Sequence, residues 1–309
     1  LSNIASLLRQ AATAAAGAQQ YPAASLYVVA TPIGNLADLT LRAIEVLARA
    51  DAVACEDTRV SAALLRHLGL DKPLLAVHEH NEHGAAQGVV ERLAQGQRVA
   101  YVSDAGTPAV SDPGAVLVAA VRAAGHRVVP IPGASSAVTA LSAAGDVRSS
   151  GFEFVGFLPA KGAERRAALQ ALAAQPRAQV LFEAPHRVQA LAAELAQGLP
   201  TRRVSVCREL TKQFESIHTL TAAELPDWFA GDAQRLRGEF VLVLHAPEAV
   251  PVSDEADALP AEAERALRTL LAELPLKQAV ALAATLSGAP RNALYQRALA
   301  LRDEDADAG

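Results

Sequence analysis

From residue 26 onward, short apolar runs alternate with amphipathic stretches. Leu26–Ala30, Asp51–Cys55, Pro73–Val77, Arg98–Ser103 and Arg127–Ile131 have the length and composition of buried strands. Helical patterns fall between them, near residues 38–50, 58–68, 83–95 and 112–124, and another starts near Ala134. This alternation predicts a mostly parallel sheet with helices on both faces. The rhythm breaks at "GDVRSSG", Gly145–Gly151. Beyond it, Phe152–Leu158, Ala178–Glu183, Arg203–Arg208, Glu215–Leu220 and Glu239–Ala246 read as strands, with helices only over 162–174 and 185–197. The last three strands are expected to pair antiparallel, giving a mixed second sheet.

The same pattern divides the chain. Residues 26–148 form a first α/β domain and 149–246 a second. Residues 247–262 read as an acidic linker, 263–301 as a helical segment and 302–309 as a disordered tail. Pro275 and Gly288–Pro290 cut the helical segment into three. Residues 1–25 are Ala-rich, but Arg9 and polar residues interrupt the apolar run and no basic region opens it. They read as a weakly helical or disordered extension and not as a secretion signal.

Composition narrows the class. The chain has 309 residues, 51% hydrophobic and 20% charged, which is globular. Its net charge of −5 excludes a wholly basic coat but not one basic face. The two cysteines, Cys55 and Cys207, form no CxxC pair and are expected to be small buried hydrophobes in a reducing cytoplasm. No membrane span is predicted. "HEHNEH", His78–His83, lacks the spacing of a helical zinc motif, and no metal is assigned.

Three loops follow strands of the first domain: Ala30–Thr40 ("ATPIGNLADLT"), Tyr101–Gly114 ("YVSDAGTPAVSDPG") and Pro130–Leu141 ("PIPGASSAVTAL"). Each has a Pro and Gly close together. A tight surface turn would account for one of them. Three at strand carboxyl ends fit a ligand site, because ligands bind there in open α/β sheets. Neither a dinucleotide fingerprint nor a P-loop is present. Ser135 and Ser136 either cap the helix that follows or offer peptide N–H groups to a carboxylate. Asp104 either caps a turn or meets an ammonium group.

These loops lie among further blocks: "CEDTR", "HEHNE", "GFLPAKGAERR", "RELTKQFESIHTL" and "LPLKQAVALAA". In this order and spacing, from Leu26 to about Ala300, the chain resembles the tetrapyrrole-methylase-like family of S-adenosylmethionine methyltransferases, and within it the ribosomal RNA branch. The resemblance implies the two-domain class III methyltransferase fold, with C-terminal helices and S-adenosylmethionine held between the domains. It also implies 2′-O-methylation of a cytidine ribose in the decoding region of 16S rRNA, in the small ribosomal subunit, by a cytoplasmic homodimer. Where tetrapyrrole enzymes carry Gly-Asp-Pro, this chain has Ser103-Asp104-Ala105-Gly106-Thr107-Pro108.

On that footing the expected cofactor-binding residues are Pro32, Gly34, Asn35, Asp104, Ala105, Gly106, Thr107, Pro108, Ser135, Ser136, Phe182, Glu209 and Glu239. Candidates for activating the acceptor hydroxyl are Glu183, Lys161 and Arg187, with Asp57, His186 and Glu209 nearby. The expected RNA-binding cations are Arg59, Lys161, Arg165, Arg166, Arg187, Arg202, Arg203, Lys212, Lys277 and Arg291. Two rival readings are a tetrapyrrole ring-carbon methylase and a cofactor- or RNA-binding module without turnover.

Overall fold

The computed structural model describes residues 2–78, 81–111, 113–248 and 259–307. It contains a unit spanning Leu1–Pro247 and a smaller unit spanning Glu248–Gly309. The first sheet holds β1 (Ser25–Val29), β2 (Ala52–Cys55), β3 (Leu74–Ala76), β4 (Arg98–Val102) and β5 (Arg127–Ile131). All its pairings are parallel, in the order β3-β2-β4-β1-β5. Leu26, Val53, Val99 and Tyr101 are fully buried, as a sheet covered on both faces requires. The covering helices are α2 (Leu41–Arg49), α3 (Thr58–His67), α4 (Glu82–Ala94), α5 (Ala115–Ala123) and α6 (Ser136–Ala144).

The second sheet holds β6 (Phe152–Phe157), β7 (Ala178–Glu183), β8 (Arg203–Arg208), β9 (Ser216–Thr221) and β10 (Phe240–Leu244). Its order is β6-β7-β10-β8-β9. β6 and β7 are parallel, and every other pairing is antiparallel. Helices α7 (Gly162–Ala174), α8 (Val188–Gly198) and a short α9 (Leu225–Ala230) accompany it. The two sheets share a core: Ala137, Ala140 and Ala144 of α6 pack with Val180, Cys207, Val241 and Val243. Small residues on α6 let the second sheet approach closely. Both cysteines are buried, and burial pushes the Cys207 thiol up to about 12.

Two terminal expectations are corrected. Residues 2–16 are a helix, α1 (Ser2–Ala16), not a loose extension. Ala5, Ala12 and Ala16 are buried, and Thr13 Oγ1 donates to Glu45 Oε2 at 3.0 Å. An alanine stripe is a faint hydrophobic signal, yet alanine has the highest helix propensity and allows close packing. At the other end, α10 (Ala261–Glu273), α11 (Leu276–Ser287) and α12 (Arg291–Asp307) form the small unit. Leu267, Ala283, Leu294 and Ala298 make its core, and Glu264 Oε1 joins Arg268 to Arg297. Helix α12 runs through residues 302–307, against the expectation of a disordered tail; no Gly or Pro stops it before Gly309. Most of the acidic linker, 249–258, lies outside the described residues, as do Glu79 and His80 of the histidine-rich loop.

Candidate active site

Strand order builds the site. Because β4, β1 and β5 are neighbours, their three carboxyl-end loops stand side by side. The first two are stitched by a two-residue bridge: Thr31 N–H donates to Gly106 O at 2.9 Å and Gly106 N–H to Thr31 O at 3.1 Å. Thr31 Oγ1 also donates to Ser103 O at 3.1 Å. The second and third loops are joined by Thr107 Oγ1, which donates to Ala134 O at 2.9 Å. Gly106 sits at φ +85°, where L side chains are disfavoured, and Ala109 at +63° is a second left-handed position in the same loop. Turn chemistry alone does not require three loops to be hydrogen-bonded into one surface.

The individual residues refine the expectations. Asn35 caps a single helical turn by accepting from Ala37 N–H at 3.0 Å. Ser135 is the N-cap of α6 but makes no side-chain capping bond, so the capping expectation fails there. Asp104 Oδ1 accepts from Asp57 N–H at 3.0 Å, tying the β4 loop to the start of α3. Asp57 itself pairs with exposed Arg59 at 2.6 Å, and that hydrogen bond holds its carboxyl down to about 2. Pro32, Gly34, Ser61, His67 and Asp104 border a hollow of about 270 Å³ beside the first two loops. Pro108, within the second loop, is buried.

A narrower cleft of about 70 Å³ lies where the sheets meet, lined by Ile33, Ala105, Ser136, Leu210, Glu239 and Val241. It brings together all three first-sheet loops with two segments of the second sheet. Ile33, Leu210 and Val241 were missed by sequence reasoning; the only signal was an apolar residue inside each polar block. Phe182 stands near this cleft's core, edge-on to Phe154 and Phe157 with ring centroids 5.1 and 5.6 Å apart.

Lys212 was expected at an RNA phosphate, but it lies across the first loop. Its aliphatic stem covers the bare backbone of Gly34, where an added Cβ would overlap it. Its Nζ is 3.0 Å from Glu209 Oε1 and 3.1 Å from Glu239 Oε2. Burial opposes the charge on Lys212, but the bonds to Glu209 and Glu239 outweigh it and raise the pKa. Burial likewise opposes the charge on Glu209, and the Glu239 N–H with the Lys212 ammonium lowers its pKa on balance.

The expected catalytic group around Glu183 is a structural network. The Glu183 side chain has 0% exposure, so no substrate reaches it as a base. Its Oε1 accepts from Ala184 N–H at 3.0 Å and lies 3.0 Å from Arg187 Nε in an ion pair. Arg165 is also buried, with Nη2 2.6 Å from Glu194 Oε2 and 3.9 Å from Glu183 Oε2, and Nη1 donating to Pro159 O. Arg165 is therefore withdrawn from the RNA-binding set. So is buried Arg202, whose Nη2 donates to Gln175 O and Arg177 O. What remains accessible here is a hollow of about 300 Å³ bordered by Lys161, Arg166 and Arg187, with Arg187 Nη2 bonded to Leu158 O. Lys161, Arg166, His186 and Arg203 are exposed, as are Lys277 and Arg291 in the small unit.

A family model of the tetrapyrrole (corrin/porphyrin) methylases matches residues 25–226, and one of an RsmI C-terminal HTH domain matches residues 257–302. Ribosomal RNA small subunit methyltransferase I of Pseudomonas aeruginosa is 49% identical over 278 residues, covering 90% of this chain and 97% of that protein. The protein of the same name from Escherichia coli O157:H7 is 48% identical, covering 89% and 94%. The chain belongs to this methyltransferase family. Among solved structures, a cobalt precorrin-4 methyltransferase superposes with a TM-score of 0.53 at 20% identity, covering 71% of this chain and 94% of that one. A uroporphyrin-III C-methyltransferase from Thermus thermophilus, complexed with S-adenosylhomocysteine, gives 0.51 at 19%, covering 72% and 97%. Both carry the same fold.

A methionine-derived sulfonium cofactor carries cationic centres and a planar base. Ile33, Leu210 and Val241 give the cleft an apolar wall with the Ser136 hydroxyl beside it, and the Asp104 carboxylate borders the neighbouring hollow. Gly106 supplies backbone without a Cβ, an added one lying 3.2 Å from Ile33 Cγ2.

Proposed function

We propose that this methyltransferase uses S-adenosylmethionine to methylate the 2′-hydroxyl of a cytidine ribose in 16S rRNA of the small ribosomal subunit. The observation that carries this reading is likeness along nearly the whole length of relatives named for ribosomal RNA, C-terminal helices included. When bound, the cofactor supplies an activated methyl group. The three joined loops and the second-sheet wall orient it, and alignment of donor with acceptor is the main demand of such a transfer. Lys161, Arg166, Arg187 and Arg203, with Arg59, Lys277 and Arg291, supply cations for RNA phosphates. The protein works as a homodimer, which sedimentation reads, and in the cytoplasm, where its substrate lies.

The test incubates labelled cofactor with small subunits from an unmethylated strain and maps the label by nucleotide. One cytidine should acquire the label and resist alkaline cleavage, because a methylated 2′-oxygen cannot attack the neighbouring phosphate. Label on a base refutes the ribose assignment. In a parallel incubation with a porphyrinoid, label on a ring carbon with none on RNA supports the tetrapyrrole alternative.

A further inference from the structure

The loop after β8 is strained where the sheet does not require it. Glu209 (φ +52°) and Thr211 (φ +67°) both occupy the left-handed region without being glycine. The Thr211 hydroxyl oxygen is buried with no hydrogen-bond partner among the described residues. Strain of this kind persists where the surroundings over-determine it, and it clusters at functional sites. Here Glu209 N–H donates to Glu239 O at 3.0 Å and Glu239 N–H returns a bond to Glu209 Oε1 at 2.8 Å. Thr211 N–H donates to Glu215 Oε2 at 2.6 Å, and Arg208 ties Phe214 O to Arg237 O. Gly238, at φ +90°, leaves the space that the Glu209 carboxylate fills.

What this framework holds in place is the Lys212 ammonium, against the first loop and between two carboxylates. A cationic sulfonium gains nothing from a lysine beside it. A hydroxyl that is losing its proton does, because the positive charge stabilises the developing oxyanion. Glu239 borders the cleft beside Ala105 and Ser136, and its side chain is 78% exposed, open to a large acceptor.

We infer that Lys212 and Glu239 form a catalytic dyad for the acceptor hydroxyl, an assignment that rests on the function proposed above. The Lys212 ammonium hydrogen-bonds to the 2′-oxygen, and the Glu239 carboxylate takes the hydroxyl proton and passes it to solvent. The oxygen–carbon bond forms as the carbon–sulfur bond breaks, and the electron pair of that bond stays on sulfur. Lys212 keeps its own protons throughout. Both residues thereby take roles other than those expected from the sequence, an RNA cation and a cofactor ligand.

The test compares wild type, Lys212→Ala and Glu239→Gln in single turnover at saturating cofactor and RNA, with both affinities measured by calorimetry. Each variant should lose about 100-fold or more in rate, while cofactor and RNA affinities stay within about threefold. If Lys212→Ala loses RNA affinity but keeps its rate at saturation, Lys212 is a docking cation and the dyad is wrong. If Glu239→Gln loses cofactor affinity in proportion to its rate, Glu239 is a cofactor ligand and the dyad is wrong. Mapping the wild-type label first separates these outcomes from failure of the ribose reading itself.

Discussion

Replacing Gly106 by valine should abolish cofactor binding while leaving a folded protein. Gly106 lies at φ +85°, a conformation that costs an L-residue about 1–2 kcal/mol and a β-branched one more. Its added Cβ would stand 3.2 Å from Ile33 Cγ2 and 3.7 Å from Ala134 O, so the side chain has to push the first and third loops away from the second. The peptide at this position also makes both bonds of the Thr31 bridge, and any shift is transmitted to the first loop. Beneath the loop, Val99, Ala100 and Tyr101 of β4 and Leu26 and Val29 of β1 are fully buried, and their packing holds the sheet together. Calorimetry should therefore show affinity falling beyond about 100-fold, with a near-native circular dichroism spectrum. Gly106→Ala, which adds no β-branch, should fall between wild type and valine. Unchanged affinity in the valine variant would place the cofactor elsewhere.

The strands and the three loops were legible in the sequence because they rest on local signals. Val99–Val102 and Val53–Cys55 are apolar runs that only a doubly covered sheet accommodates, and "DAGTP" and "PIPG" are backbone punctuation. The strand order β4-β1-β5, which sets those loops side by side, is a tertiary fact with no local signature. Helix α1 was left open between a weak helix and disorder because its buried stripe is alanine, and α12 was cut short because an acidic, Ala-rich end resembles a disordered tail. The charged residues were the least legible. Arg165 and Arg166 are adjacent and chemically identical, yet the helix turns one inward to Glu194 and the other outward. Lys212 looks like any surface lysine until strain at Glu209 and Thr211 brings it against Gly34.

That difference between neighbouring arginines gives the second large effect. Arg165→Ala should cost about 3–5 kcal/mol in stability, the range for removing one partner of a buried ion pair. The loss strips Glu194 of its paired guanidinium, frees the Pro159 carbonyl, and leaves the Glu183 carboxylate, which has 0% exposure, with Arg187 as its remaining cation. The double variant Lys161→Ala, Arg166→Ala removes two exposed cations from the rim of the same hollow and should leave the urea midpoint near the wild-type value. It should instead weaken RNA binding and lower the slope of log affinity against log salt by about one for each phosphate no longer neutralised. Cofactor affinity should not change, because neither residue lines the cleft between the sheets. The two measurements move in opposite directions only if one arginine braces the fold and the other faces the ligand. A stable Arg165→Ala variant with weakened RNA binding would return Arg165 to the RNA surface and remove the argument for the buried network.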